Sequence, residues 1–216
     1  MQFHQPAGNL RVVPLPSTGI DKGGRVYLVW PDCRFRSGCT ANDIVMSSAN
    51  PGGSFTTPVR LPLDDAAGTV DHFITGLSVD TLSSGSRSRL AVTYYFYPAT
   101  SCSSSSCQLY AGYTSSLDGG LTFSAPLTMA GPMQLSSLAA TTAGQMVGDY
   151  VATTIAGPNA ISVFAIGNPK VGTVFDEAIY AVKHPIAGSP VVFPVVPSTT
   201  YRSRRIHPIE VPERVP

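Results

Sequence analysis

The sequence predicts an all-β fold: about three four-stranded antiparallel sheets in succession, the blades of a partial β-propeller, followed by a Pro-rich C-terminal tail. Three observations carry that expectation. The chain of 216 residues holds 20 Gly and 19 Pro and has no long amphipathic helical run, so short strands and turns dominate. The octapeptide Ser116-Leu117-Asp118-Gly119-Gly120-Leu121-Thr122-Phe123 repeats an earlier Ser48-Ala49-Asn50-Pro51-Gly52-Gly53-Ser54-Phe55 at a spacing of 116 − 48 = 68 residues. The four cysteines form two close pairs, Cys33 with Cys39 and Cys102 with Cys107, that recur 102 − 33 = 69 residues apart. Two features of different chemistry on nearly one period mark an internal repeat.

In chain order, residues 1–10 carry little pattern and read as the remnant of an earlier element. Residues 11–21 form a Pro-interrupted extended segment turned by Asp21-Lys22-Gly23-Gly24. Arg25-Val26-Tyr27-Leu28-Val29-Trp30 is an apolar and aromatic strand. After the first cysteine loop come a strand over residues 43–46, the first octapeptide, and a strand over residues 58–61. These make one unit, residues 11–62. The second unit, residues 70–130, repeats the course with strands over 73–80, 89–97, 108–114 and 123–129, its cysteine loop again between the second and third. The third, residues 145–184, has strands over 146–154, 160–166 and 177–183, and its fourth strand is missing or sits in the tail. Residues 1–184 are thus one partial propeller. Residues 185–216 are a tail broken by prolines, with Arg202, Arg204 and Arg205 as a short basic cluster and Val191-Val192-Phe193 as one possible edge strand.

A β-sandwich also accommodates short strands with regular turns. The shared period of hairpin and cysteine loop favours the propeller, whose rings close with about four to eight blades. With roughly three blades here, the expectation is the C-terminal part of a larger propeller, the missing N-terminal blades being supplied in cis or by another protomer.

Hydrophobic residues make up 43% of the chain, enough for a core, while 12% are charged and the formal net charge is +1, so no nucleic-acid footprint is indicated. No apolar stretch reaches the roughly 18 residues of a membrane span. For the cysteines, zinc is the alternative to disulfides. Neither pair has a C-x₂₋₄-C knuckle with a matching second half, Cys102-x₄-Cys107 coming nearest. Two local disulfides are favoured, which places the protein in an oxidising compartment. Residues 1–6 show no basic segment followed by an apolar run, so no signal peptide is read here. The expectation is a secreted or periplasmic protein whose true beginning lies outside this chain.

The octapeptide suits a tight turn between two strands. Asp118 and Asn50 can accept backbone N–H groups one or two residues on. Gly120 and Gly52 supply positive φ, and Phe123 and Phe55 begin the next strand as apolar anchors. Ser-x-Asp-x-Gly-x-Thr-Phe resembles the Asp-box of the bacterial neuraminidase repeat, found in sialidases and related secreted β-propellers. Here the box residues are Ser48, Asn50, Gly52 and Phe55, then Ser116, Asp118, Gly120 and Phe123. The resemblance implies a sialidase-like β-propeller in which the box is a structural turn on the face away from the active site.

The opposite face gathers the second-to-third-strand loops and the connections between blades. It would hold Asp71, Asp149, Tyr150 and Glu177 as candidate catalytic groups, and Arg34, Arg36 and His72 as candidate ligand-binding groups. Carboxylates, arginines and a tyrosine converging near a propeller axis fit glycoside chemistry, and a guanidinium fork matches a carboxylate in two hydrogen bonds. The resemblance implies three arginines on the substrate carboxylate, a Tyr nucleophile activated by Glu, and an Asp acid/base. The family's Phe-Arg-Ile-Pro segment is absent, and Arg34 and Arg36 lie inside the cysteine loop. Each candidate also has a plain structural reading: Asp149 capping a turn, Tyr150 packing in the core, His72 as a satisfied structural histidine, Glu177 pairing with Lys183 or an arginine, and the two arginines solvated. No cofactor or metal is called for. Two functions remain: an exo-sialidase-like glycoside hydrolase acting on glycan or glycoprotein, or a non-catalytic propeller binding glycan or protein through its loop face.

Overall fold

A computed structural model describes residues 1–186. It is all-β, with four open antiparallel sheets. The first is a meander of β1 (Ser17–Ile20), β2 (Val26–Asp32), β3 (Asp43–Ala49) and β4 (Val59–Arg60). The second repeats it with β5 (Asp71–Val79), β6 (Leu90–Tyr97), β7 (Gln108–Ser116) and β8 (Leu127–Gln134). A two-stranded ribbon, β9 (Ala139–Thr141) and β10 (Gly144–Met146), precedes a third sheet of β11 (Ala152–Ala156), β12 (Asn159–Val171) and β13 (Val174–Pro185). Both expected disulfides, Cys33–Cys39 and Cys102–Cys107, are formed. The expected tail strand at residues 191–193 and the basic cluster lie outside the described residues.

The three larger sheets stack with the second in the middle. Alternation along β6 shows it: Leu90, Val92 and Tyr94 face a core shared with Tyr27, Val29, Ile44 and Met46 of the first sheet. Ala91, Tyr95 and Tyr97 face a second core with Ala160 and Phe164 of the third. A strand buried on both faces must be apolar at nearly every position, and Leu-Ala-Val-Thr-Tyr-Tyr-Phe-Tyr is. The first strands of the sheets pack on one another, Ser17 Oγ donating to Thr75 O at 2.6 Å. At Gly76 an added Cβ would lie 2.6 Å from the carbonyl oxygen of Val151. The one polar position on β6 between the cores is matched: Thr93 Oγ1 lies 2.6 Å from Ser162 Oγ and accepts from Thr153 Oγ1 at 2.7 Å.

Residues 1–12 are not a remnant but a strap across the strand ends. Gln2 accepts from the Cys33 N–H at 3.0 Å. His4 and Asn42 exchange two bonds, His4 N to Asn42 Oδ1 at 2.8 Å and Asn42 Nδ2 to His4 O at 2.7 Å. Leu10 and Val12 enter the second core, and the Arg11 N–H reaches Gln145 O at 2.8 Å. At the other end of the sheets, buried Asp21 joins the β1–β2 turn to the β5–β6 turn by accepting from Ser88 Oγ at 2.6 Å and the Gly85 N–H at 3.2 Å.

Several boundaries differ from expectation. The strand placed at residues 146–154 is split, because Gly148 has φ +121°; Met146 closes β10 and the chain resumes at β11. β12 and β13 run far longer than expected, Pro169 being accommodated at a register shift between Asn168 and Val171. The strand expected from residue 123 begins at Leu127, since Ser124 is tied back to Ser115.

The two octapeptides are also out of structural register by one residue. Ser116 stands opposite Leu90, and its counterpart opposite Val26 is Ala49, not Ser48. The first hairpin is therefore one residue shorter. In the second, Ser116 Oγ accepts the Gly120 N–H at 2.9 Å while Asp118 accepts the Thr122 N–H at 2.9 Å and Thr122 Oγ1 at 2.6 Å. In the first, Asn50 offers only its backbone carbonyl, to the Gly53 N–H at 2.9 Å, and Ser48 Oγ accepts from Arg25 instead. Gly52 and Gly120 do have positive φ. Phe123 is buried, but Phe55, expected as an anchor, is 52% exposed.

Candidate functional site

Arg36 is neither solvated nor free to hold a ligand. The Cys33–Cys39 loop turns it inward, where it is 5% exposed. Its Nε donates to Asp43 at 3.0 Å and its Nη2 to Asp43 and Asp64 at 2.6 and 2.8 Å. Its Nη1 donates to the carbonyls of Asp65, Ala66 and Gly68 at 3.1, 3.0 and 2.9 Å. One guanidinium thereby pins the whole connection between β4 and β5. Arg60 completes the cluster, its Nε 2.8 Å from Asp43 and its Nη1 and Nη2 engaging Asp64. Two arginines and two aspartates cancel in charge, which is what permits them to be buried together. Arg34 is likewise engaged, Nε and Nη2 reaching Asp32 at 3.0 and 2.8 Å. Burial raises the Asp32 pKa, but donors from Arg34, the Trp30 indole and two backbone N–H groups outweigh it, holding it at about 2.

His72 reaches this cluster through a bulge. Ile74 has φ +49° and the β5–β6 register skips from Phe73 to Thr75. That extra residue places Phe73 opposite Tyr95 and His72 opposite Phe96. His72 then meets Tyr94 and Phe96, ring centroids 5.4 and 6.1 Å away. Burial drives its pKa down to about 3, so the ring is neutral at neutral pH. Its Nδ1 has no hydrogen-bond partner among the described residues. Asp71 lies next to it but is held elsewhere: Oδ1 accepts the Asn42 N–H at 2.8 Å and Asn42 Nδ2 at 2.9 Å, and Oδ2 is buried without a hydrogen-bond partner among the described residues. Burial pushes the Asp71 pKa up to about 6.

His72 lines a pocket of about 180 Å³ between the second sheet and the β4–β5 connection, with Asp64, Tyr94, Phe96, Leu127 and Thr128 among its other walls. A carboxylate oxygen of Asp43, one of Asp64 and a His72 ring nitrogen lie within 4.8 Å of one another. That spacing suits a metal ion, but Arg36 and Arg60 already neutralise both carboxylates, and a divalent cation would have to displace two guanidinium groups.

The other candidates are dispersed. Asp149 pairs with Arg11, Oδ2 to Nη2 at 2.9 Å. Tyr150 is 76% exposed, and among the described residues it neither packs in the core nor meets a carboxylate. Glu177 pairs with no cation among the described residues; its Oε2 accepts the Ala139 N–H at 3.2 Å, and burial raises its pKa. Among the described residues, no hydrogen bond or ion pair joins any two of Asp71, Asp149, Tyr150 and Glu177. Sequence reasoning missed Asp64, Arg60, Tyr94 and Phe96 as site residues. The available signal was Arg60-Leu61-Pro62-Leu63-Asp64-Asp65, a charged pair set at four residues in a connection rather than on a strand. The chain matches no protein-family model and no curated protein sequence.

Proposed function

We propose that this is an extracytoplasmic protein of the β-propeller type that binds glycan without hydrolysing it. Support for the architecture comes from successive four-stranded meanders packed face to face through their first strands. Two disulfides fit an oxidising compartment. The observation that carries the non-catalytic reading is that each candidate carboxylate is engaged separately and that exposed Tyr150 meets none of them among the described residues. Glycoside hydrolysis by a carboxylate pair requires two carboxyl groups facing one bond. Here Asp149 is bound to Arg11, Glu177 to a backbone N–H and Asp71 to Asn42. Arg34 and Arg36, which the sialidase resemblance would turn toward a substrate carboxylate, are bound to aspartates. What the site offers instead is a pocket with aromatic walls and one fixed carboxylate.

Incubation with fluorogenic sialosides and neutral aryl glycosides is expected to release no fluorophore, while a glycan array gives reproducible binding. Turnover that disappears in Tyr150→Phe would overturn the reading in favour of the hydrolase.

A further inference from the structure

Resting on that glycan-binding reading, we propose that the pocket between the second sheet and the β4–β5 connection is the contact site and that it takes a single uncharged pyranose ring, not a sialic acid. Its size sets the first limit. At about 180 Å³ it lies below the roughly 300 Å³ where sites for drug-sized ligands begin, leaving room for one ring.

Its walls set the second. A pyranose has an apolar C–H face and a rim of hydroxyls, and the pocket has matching parts. Tyr94 and Phe96, centroids 6.0 Å apart, supply aromatic surface, and Phe96 is fixed by stacking on Tyr110 at 5.3 Å. Asp64 supplies an acceptor that cannot swing away, because Arg36 and Arg60 clamp it. Its Oδ2 accepts one hydrogen bond from Arg36 and retains a lone pair for a hydroxyl. Among the described residues the buried His72 Nδ1 has no hydrogen-bond partner, and it would gain from a hydroxyl.

Charge decides between sugar classes. Arg36 and Arg60 balance Asp43 and Asp64, and the donors of Arg36 are engaged by two aspartates and three carbonyls. Arg60 directs its Nη groups at Asp64 and its Nε at Asp43. No guanidinium fork is left for a substrate carboxylate, so an anionic sugar would be buried there without a cation to pair with. A neutral ring enters without burying an uncompensated charge.

The test uses the whole chain with its disulfides intact. Saturation-transfer NMR and calorimetry are run with methyl glycosides of glucose, galactose, mannose and N-acetylglucosamine, and with the methyl glycoside of N-acetylneuraminic acid. At least one neutral glycoside is expected to bind, and Phe96→Ala to weaken it about tenfold or more. Leu127→Trp, at a half-exposed position on the rim, is expected to block entry with an unchanged melting temperature. The neuraminic acid glycoside should give no signal. Tighter binding of that anionic sugar, or neutral-sugar binding unchanged in both variants, would overturn the pocket assignment and leave glycan binding standing. No binding to any glycan on an array or in solution would remove both.

Discussion

Asp71 and His72 are neighbours on β5, yet burial moves their protonation in opposite senses, and the two effects oppose each other over the same pH range. Asp71, packed by Asn42, His4, Arg36 and Tyr97, has its pKa raised from 3.8 to about 6. Between those values the folded form holds a proton that the unfolded chain has released, so its contribution to stability falls as pH rises. His72, facing Asp43, Arg36 and Arg60, has its pKa lowered from 6.5 to about 3. Between those values the unfolded chain holds the extra proton, so its contribution rises with pH. From about pH 4 to 6 the two slopes cancel. Asp71→Asn, whose amide oxygen can still accept both Asn42 bonds, removes one slope and exposes the other. Denaturant titrations should then show the variant gaining on the wild type as pH rises from 4 to 6, on the order of 1.4 kcal/mol per pH unit. Parallel pH profiles would show that Asp71 is not protonated at the upper pKa.

At the level of elements, the two hairpins that look alike in sequence carry unequal weight. Asp118 ties down Thr122 twice and Ser116 once, whereas the side chain of Asn50 makes no hydrogen bond among the described residues. Asp118→Ala is expected to cost about 1–2 kcal/mol, lowering the melting temperature by roughly 3–6 °C. Asn50→Ala should stay within about 0.5 kcal/mol of the wild type. Equal losses would mean that the hairpins are equivalent after all. Much of this scale was legible in advance. The disulfides, the positive φ at Gly52 and Gly120 and the four strands of each of the first two sheets follow from local residue chemistry that neighbours do not override. What could not be read is whatever depends on register. The missing residue between Ala49 and Thr56 is hidden by the coincidence of Ser48 with Ser116 at one spacing. The bulge at Ile74, which alone turns His72 toward Asp64, has no local signature in an Asp-His-Phe-Ile-Thr strand. Arg36 looked like a surface residue because its partners Asp43 and Asp64 are 7 and 28 residues away.

For the whole molecule, the stack holds together by close backbone approach as much as by its two cores. An added Cβ at Gly76 meets the backbone carbonyl of Val151 at 2.6 Å, and backbone cannot rotate aside. At Gly19 the nearest obstacle is instead the Val79 side chain, at 2.6 Å. Gly76→Ala should therefore lower the melting temperature by roughly 3–10 °C, the overpacking cost of about 1–3 kcal/mol, and Gly19→Ala by less. Indistinguishable melting curves for the two would contradict the contact between the second and third sheets. The same stacking explains why the strand Leu90–Tyr97 was easy to predict and the site beside it was not. Burial on two faces writes itself into composition, while a pocket between a sheet and the connection leading into it depends on how that connection is folded.

The two-sided burial of the second sheet also bears on how this protein can change over time. Leu90, Ala91, Val92 and Thr93 are each completely enclosed, so no position in that run faces water, where a replacement would be harmless. Saturation mutagenesis should find almost no accepted alternatives there. Variation would instead collect at the exposed tip of the β12–β13 hairpin, where Val171 and Val174 touch mostly solvent.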